Sequence, residues 1–116
     1  MLKEKIMTQQ KFITTVRTNA EASNTDVKKV REVCDLPHCR MVEVLLNAHD
    51  TLSKHKANEP ISVLCLAGSG YFTAGPDLAD RQDLEVGTVI ALDAGVEHEV
   101  TADEHLRLLV TKFKQY

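Results

Sequence analysis

The sequence predicts an all-β domain, either a sandwich or a small antiparallel barrel, and three observations carry that expectation. Short segments rich in aliphatic and β-branched residues follow one another along most of the chain. Turn-forming residues separate them at close intervals, and no long amphipathic helical pattern intervenes. An α/β fold requires helices between its strands, and after residue 40 there is no room for them.

The elements read in order as follows. Residues 1–11 are polar and are expected to be a flexible N-terminal segment, with Met7 an alternative initiator and residues 12–116 forming a single domain. Residues 12–16 read as a short strand and 18–25 as a loop. Residues 27–34 have an ambiguous period, because Val27 and Val30 differ in parity, and either a strand or a helical turn fits them. Residues 40–46 are a clearer strand, with Met41, Val42, Val44 and Leu45. Strands at 51–55, 61–67, 71–74, 83–86, 88–92, 98–101 and 106–113 complete the set. Breakers fall between them at Pro37, Pro60, Gly68, Gly70, Gly75, Pro76, Gly87 and Gly95. Gly68-Ser69-Gly70 reads as a hairpin turn and Asp103-Glu104 as a solvated one.

The segment from Val63 to Ala67 is apolar at every position, so both of its faces should be covered. Ile61, Val63, Cys65 and Ala67 share one face; Ser62, Leu64 and Leu66 share the other. The inner face belongs to a barrel core, and the outer one is expected to meet a second sheet or another subunit. A homodimer is the partner this predicts.

Composition excludes several classes. The net charge is −3, Lys and Arg are scattered, and there is no Trp, with two Tyr and three Phe, which argues against nucleic acid. No apolar run approaches a transmembrane helix, and the first residues lack a signal-peptide core, so no membrane association and a cytoplasmic location are expected. The three cysteines, Cys34, Cys39 and Cys65, are then expected as reduced thiols. Cys34, His38 and Cys39 lie close together, but a structural zinc site needs a second pair of ligands, and the cluster reads as a turn between two strands. His38 and His105 fall in predicted loops and read as solvated.

Two histidines stand at fixed distances from glycines. His55 precedes Gly68 by thirteen residues, and His98 ends the run from Gly87 through Gly95. In this pattern the stretch from His49 to Ala102 resembles the two-part signature of the cupin superfamily, small antiparallel β-barrels built as jelly rolls (double-stranded β-helices). Against the first motif, His49 stands at the opening Gly, His55 at the first His, Ala57 at the second His, Ile61 at the Glu and Gly68 at the closing Gly. Against the second, Gly87, Gly95 and His98 match, while Asp93 stands at the Pro and Ala102 at the Asn.

In metal-binding cupins three His and one Glu converge on a divalent ion, because neutral imidazoles and a carboxylate leave positions open for substrate or oxygen. The resemblance carries two of those positions here, His55 and His98; Ala57 and Ile61 cannot ligate. A divalent metal (Zn, Fe, Mn or Ni) is therefore expected to be weakly bound or absent. Replacement donors are poorly placed: Cys65 lies about 13 Å deeper along its strand, and neither His49 nor Glu59 has motif spacing.

The first expectation is a binding module that holds a small organic ligand between His55 and His98, in a pocket lined by Ala57, Ile61, Val63, Cys65 and Ala102. The imidazoles suit hydrogen bonding to a carboxylate, carbonyl or phenol, and proton transfer near neutral pH. The second is what the resemblance implies: a metal-dependent enzyme, such as a dioxygenase, decarboxylase or isomerase, acting on a small polar metabolite. A non-catalytic interaction protein using the outer face at Leu64 and Leu66 is the third. The ligand, the metal and the catalytic residues are not legible in the sequence.

Overall fold

The computed structural model describes residues 7–9, 13–18 and 29–114. The remainder of the 1–11 segment, Phe12, most of the 18–25 loop and Val27 lie outside the described residues. Among the described residues there are nine strands: β1 (Met7–Gln9), β2 (Thr14–Val16), β3 (Lys29–Asp35), β4 (Cys39–Leu46), β5 (Thr51–His55), β6 (Ile61–Ala74), β7 (Asp80–Leu84), β8 (Val89–Leu92) and β9 (His98–Phe113). A 3-10 turn at Pro76–Leu78 follows β6. No helix among the described residues is long and apolar enough to cross a membrane.

β1 and β2 form a two-stranded antiparallel sheet, and the other seven strands form one continuous antiparallel sheet. Its spine is the pair β6–β9, which runs in register from Ile61 opposite Lys112 to Ala74 opposite His98. One half of each spine strand carries β8, β4 and β3; the other half carries β7 and β5. The two halves share a single core, in which Val42, Val44, Val63, Leu106 and Leu108 meet Phe72, Leu84, Val100 and Ala102. The all-β expectation therefore holds. The layers fold over one another as a double-stranded β-helix, and no pairing among the described residues closes the sheet into a ring.

Several elements differ from the sequence expectation. Gly68-Ser69-Gly70 is not a hairpin turn: β6 continues through it. Register shifts at Cys65/Ala67 and Gly68/Gly70 mark bulges there. The bulges reset the inward parity, so that Ile61, Val63 and Cys65 face the core before them and Gly70, Phe72 and Ala74 after them. The strand is bent rather than ended, and this bend is what lets one strand serve both layers. Asp103-Glu104 likewise lies within β9, at an exposed bulge: Gly68 pairs with Leu106 and Gly70 with Ala102, so residues 103–105 stand against Ser69 alone, and His98, Val100, Ala102, Leu106 and Leu108 keep the same inward parity across it.

Residues 29–35 form a strand and no helical turn, because Val30 and Glu32 pair with Val44 and Val42 of β4. The strand expected at 83–86 is instead Asp80–Leu84, an edge strand whose first four residues are exposed. Its polar sequence carries no apolar alternation, as befits a protected edge. Cys34 and Cys39 flank a tight turn in which the Leu36 N–H donates to the Cys39 carbonyl (2.8 Å), as expected. All three cysteines are free thiols. Leu64 and Leu66 point to the outer face and are half-buried.

Candidate functional site

β5 and β9 pair so that His55 stands directly opposite His98. A cross-strand pair brings side chains on one face into contact, and the two imidazoles meet edge-to-face with ring centroids 4.2 Å apart. Phe72 of β6 stacks on the other side of His98, at 5.4 Å and nearly parallel. His98 is thus held in a slot and is only 4 % exposed, while His55 is exposed at the mouth.

The two rings are oriented by the same local device. His55 Nδ1 lies 2.7 Å from the Ser53 carbonyl, and His98 Nδ1 lies 3.0 Å from the Val96 carbonyl. A carbonyl oxygen only accepts, so in the neutral rings Nδ1 carries the proton and Nε2 keeps its lone pair. Neither Nε2 has a hydrogen-bond partner among the described residues. Each ring therefore offers one acceptor nitrogen away from its own backbone.

Both rings line a cavity of about 190 Å³. Its walls are aliphatic, from Val42, Val44, Leu52, Val63, Val100, Leu108 and Val110, with Ala57, Ile61 and Phe72 nearby. An apolar cavity of about 150 Å³ is enough for benzene, so this one suits a ring or short chain with a few polar substituents. Two lysines complete the lining, Lys56 next to His55 and Lys112 at the end of the inward row of β9.

Of the residues expected in the lining, Ala57, Ile61 and Val63 are on the wall. Cys65 and Ala102 are not. Both are buried deeper in the core, where the Cys65 thiol faces the Ala67 carbonyl at 3.6 Å. Burial raises the pKa of that thiol and so disfavours the reactive thiolate. His49 is exposed at the turn before β5, with φ 70 at the position where the resembled motif has Gly, and its N–H donates to Ala102 O. Glu59 is not on the cavity wall. Sequence reasoning missed both lysines. The signal for Lys112 was present: it continues the inward parity of Leu106, Leu108 and Val110, where an aliphatic residue is expected.

Burial pushes the pKa of His98 below its ordinary value of 6.5; the hydrogen bond to Val96 opposes this, and the charges of His55 and Lys112 add to it. The unfolded chain then takes up a proton more readily than the folded one. Stability from this residue is complete above pH 6.5 and is lost as pH falls through the lower folded-state value. The slope is at most about 1.4 kcal/mol per pH unit. Urea unfolding of wild type and His98→Phe between about pH 7.5 and about pH 5 checks this: the variant should lose less stability on acidification, and parallel curves would refute the assignment.

The donor set does not fit a tightly held metal. Structural and catalytic zinc sites ordinarily use three or four protein ligands, and the described residues contain no group of three or more His, Cys, Asp or Glu side chains so placed. Ala57 and Ile61 present only hydrocarbon where further donors would be needed.

No family model matches the sequence, and no curated protein matches it significantly. Solved structures do match in fold. A RmlC-like cupin protein from Desulfovibrio desulfuricans superposes with a TM-score of 0.73 at 22 % identity, covering 84 % of this chain and 93 % of that one. A RmlC-like cupin family protein with a double-stranded β-helix fold from Methanocaldococcus jannaschii gives 0.69 at 16 % identity, covering 84 % and 86 %. Oxalate decarboxylase from Bacillus subtilis gives 0.68 at 20 % identity, with 75 % of this chain matched to 25 % of that one. The chain has the cupin fold.

Proposed function

We propose that this cupin-fold chain is a binding module for a small organic ligand held in the cavity between His55 and His98. The observation that carries the reading is the pair of unpartnered Nε2 atoms on rings whose Nδ1 atoms are tied to backbone carbonyls. Acceptor nitrogens on apolar walls select a ligand that brings a hydroxyl or N–H donor on a hydrocarbon body, because a few placed polar groups fix orientation in such pockets. Phe72 stacked on His98 keeps the deeper ring from turning away.

A fragment screen by thermal shift tests this. A ligand at a hundredfold its Kd stabilises the native state by about 2.7 kcal/mol, and that shift should vanish in the His55→Ala/His98→Ala double variant. Hits whose shifts survive the double substitution would refute the reading.

The metal-dependent enzyme draws on the same two nitrogens. It is the second reading because two imidazoles must then share the ion with water alone. Elemental analysis of gently purified protein separates the two: less than about a tenth of an equivalent of any transition metal counts against the enzyme.

A further inference from the structure

Lys56 and Lys112 give the same cavity a charge that the histidines do not. Both lie in its lining, and no Asp or Glu among the described residues does. Five of the other described cations have carboxylate partners close by: Arg31 and Arg107 hold Glu43, Arg40 holds Glu32, Arg81 lies beside Asp83 and Lys114 holds Asp35; Arg17, Lys29 and Lys54, which have no ion pair among the described residues, are exposed to solvent and line no such cavity. Neither cavity lysine has an ion pair among the described residues. Lys112 sits on the inward row of β9 opposite Ile61, half-buried, and Lys56 follows His55 directly. Two lysines in the lining of an apolar cavity, Lys112 half-buried and Lys56 exposed beside His55, give it a positive potential that its low-dielectric walls focus inward.

We infer that the ligand is a small organic acid carrying a hydroxyl group, with its carboxylate at Lys56 and Lys112, its hydroxyl at the imidazoles and its hydrocarbon body between. This rests on the ligand-binding reading above and narrows it. The two polar ends follow from donor and acceptor chemistry. A carboxylate only accepts, so it cannot bond to the bare Nε2 atoms and needs the ammonium donors. A hydroxyl donates, and the Nε2 lone pairs are the acceptors that remain. Neither end alone explains all four polar groups in the lining.

Four probes separate the contributions: para-hydroxybenzoate, its neutral amide para-hydroxybenzamide, benzoate and phenol. Binding is read by NMR from the methyl groups of Val42, Val63 and Leu108 and the ring of His98, all inside the cavity. The para-hydroxybenzoate should bind about tenfold more tightly than the amide, as expected for a carboxylate paired with the ammonium groups against a neutral carbonyl accepting from them. In the Lys56→Gln/Lys112→Gln variant that preference should fall to about twofold or less. Benzoate and phenol, each lacking one end, should bind more weakly than para-hydroxybenzoate. If the variant does not fold, salt gives the same information, because added NaCl should weaken the acid and leave the amide alone.

Equal binding of acid and amide at the cavity resonances would overturn the inference and leave the ligand-binding reading standing. An acid that shifts only resonances outside the cavity would overturn it as well. No cavity shift from any probe up to about 20 mM, too weak to count as specific recognition, would overturn both.

Discussion

Replacing Glu43 with alanine is expected to lower the unfolding free energy by about 3–5 kcal/mol, the usual cost of removing one partner from a buried charge cluster. Glu43 lies on the outer face of β4 and its side chain is 0 % exposed. Arg31 Nη2 donates to Oε1 at 2.8 Å and Arg107 Nε donates to Oε2 at 2.6 Å. Arg107 also donates to Thr18 Oγ1 at 2.8 Å, which ties the segment after β2 to the main sheet. Without the carboxylate, two guanidinium groups from β3 and β9 face each other, and the better buried of them, Arg107, loses its counter-ion. Against a total stability of about 5–15 kcal/mol for a domain of this size, such a loss is large. Urea unfolding of Glu43→Ala and Glu43→Gln checks it. The alanine variant should lose most, the glutamine variant less because it still accepts hydrogen bonds, and a loss below about 1 kcal/mol in Glu43→Ala would refute the burial argument.

Gly68→Ala is expected to be comparably severe, for a backbone reason. Gly68 has φ +85, and a Cβ there would stand 1.5 Å from the His105 carbonyl oxygen of β9. Left-handed strain and a forced shift of a paired strand each cost about 1–3 kcal/mol. Gly87 is the internal control: its φ is +93, but a Cβ would meet nothing within 4 Å. Gly87→Ala therefore carries the strain without the collision. Thermal unfolding of both should place Gly68→Ala well below Gly87→Ala, and equal values would show that β9 yields freely at His105.

These two positions also show what the sequence could and could not reveal. The alternation of apolar residues in β4, β6 and β9 was legible, and the two glycine-anchored histidines located the site. Glu43, flanked by Val42 and Val44, carries no sequence signal of its burial, which comes from the tertiary placement of Arg31 and Arg107. The Gly68-Ser69-Gly70 signal was read as a chain reversal because glycine serves turns and bulges alike; which one forms depends on whether a partner strand continues alongside. The strand at Asp80–Leu84 was displaced because an exposed edge strand needs no apolar period.

At the site, the motif resemblance implied that His55 and His98 share one place, but not the direction of their rings. That direction comes from carbonyls two residues earlier, Ser53 and Val96, a backbone geometry no spacing rule states. It turns a depleted ligand set into a pair of oriented hydrogen-bond acceptors. The lysines were passed over because charged residues on strands ordinarily read as solvated ends, whereas the inward parity of Lys112 carries it to the cavity.

The most direct test is the electron density between the two imidazoles in crystals grown with para-hydroxybenzoate. The account predicts planar organic density in the cavity, with its hydroxyl within hydrogen-bond reach, about 2.6–3.2 Å, of His98 Nε2 and its carboxylate towards Lys112. A compact anomalous peak about 2.0–2.1 Å from both Nε2 atoms would mark a metal centre instead and would contradict it.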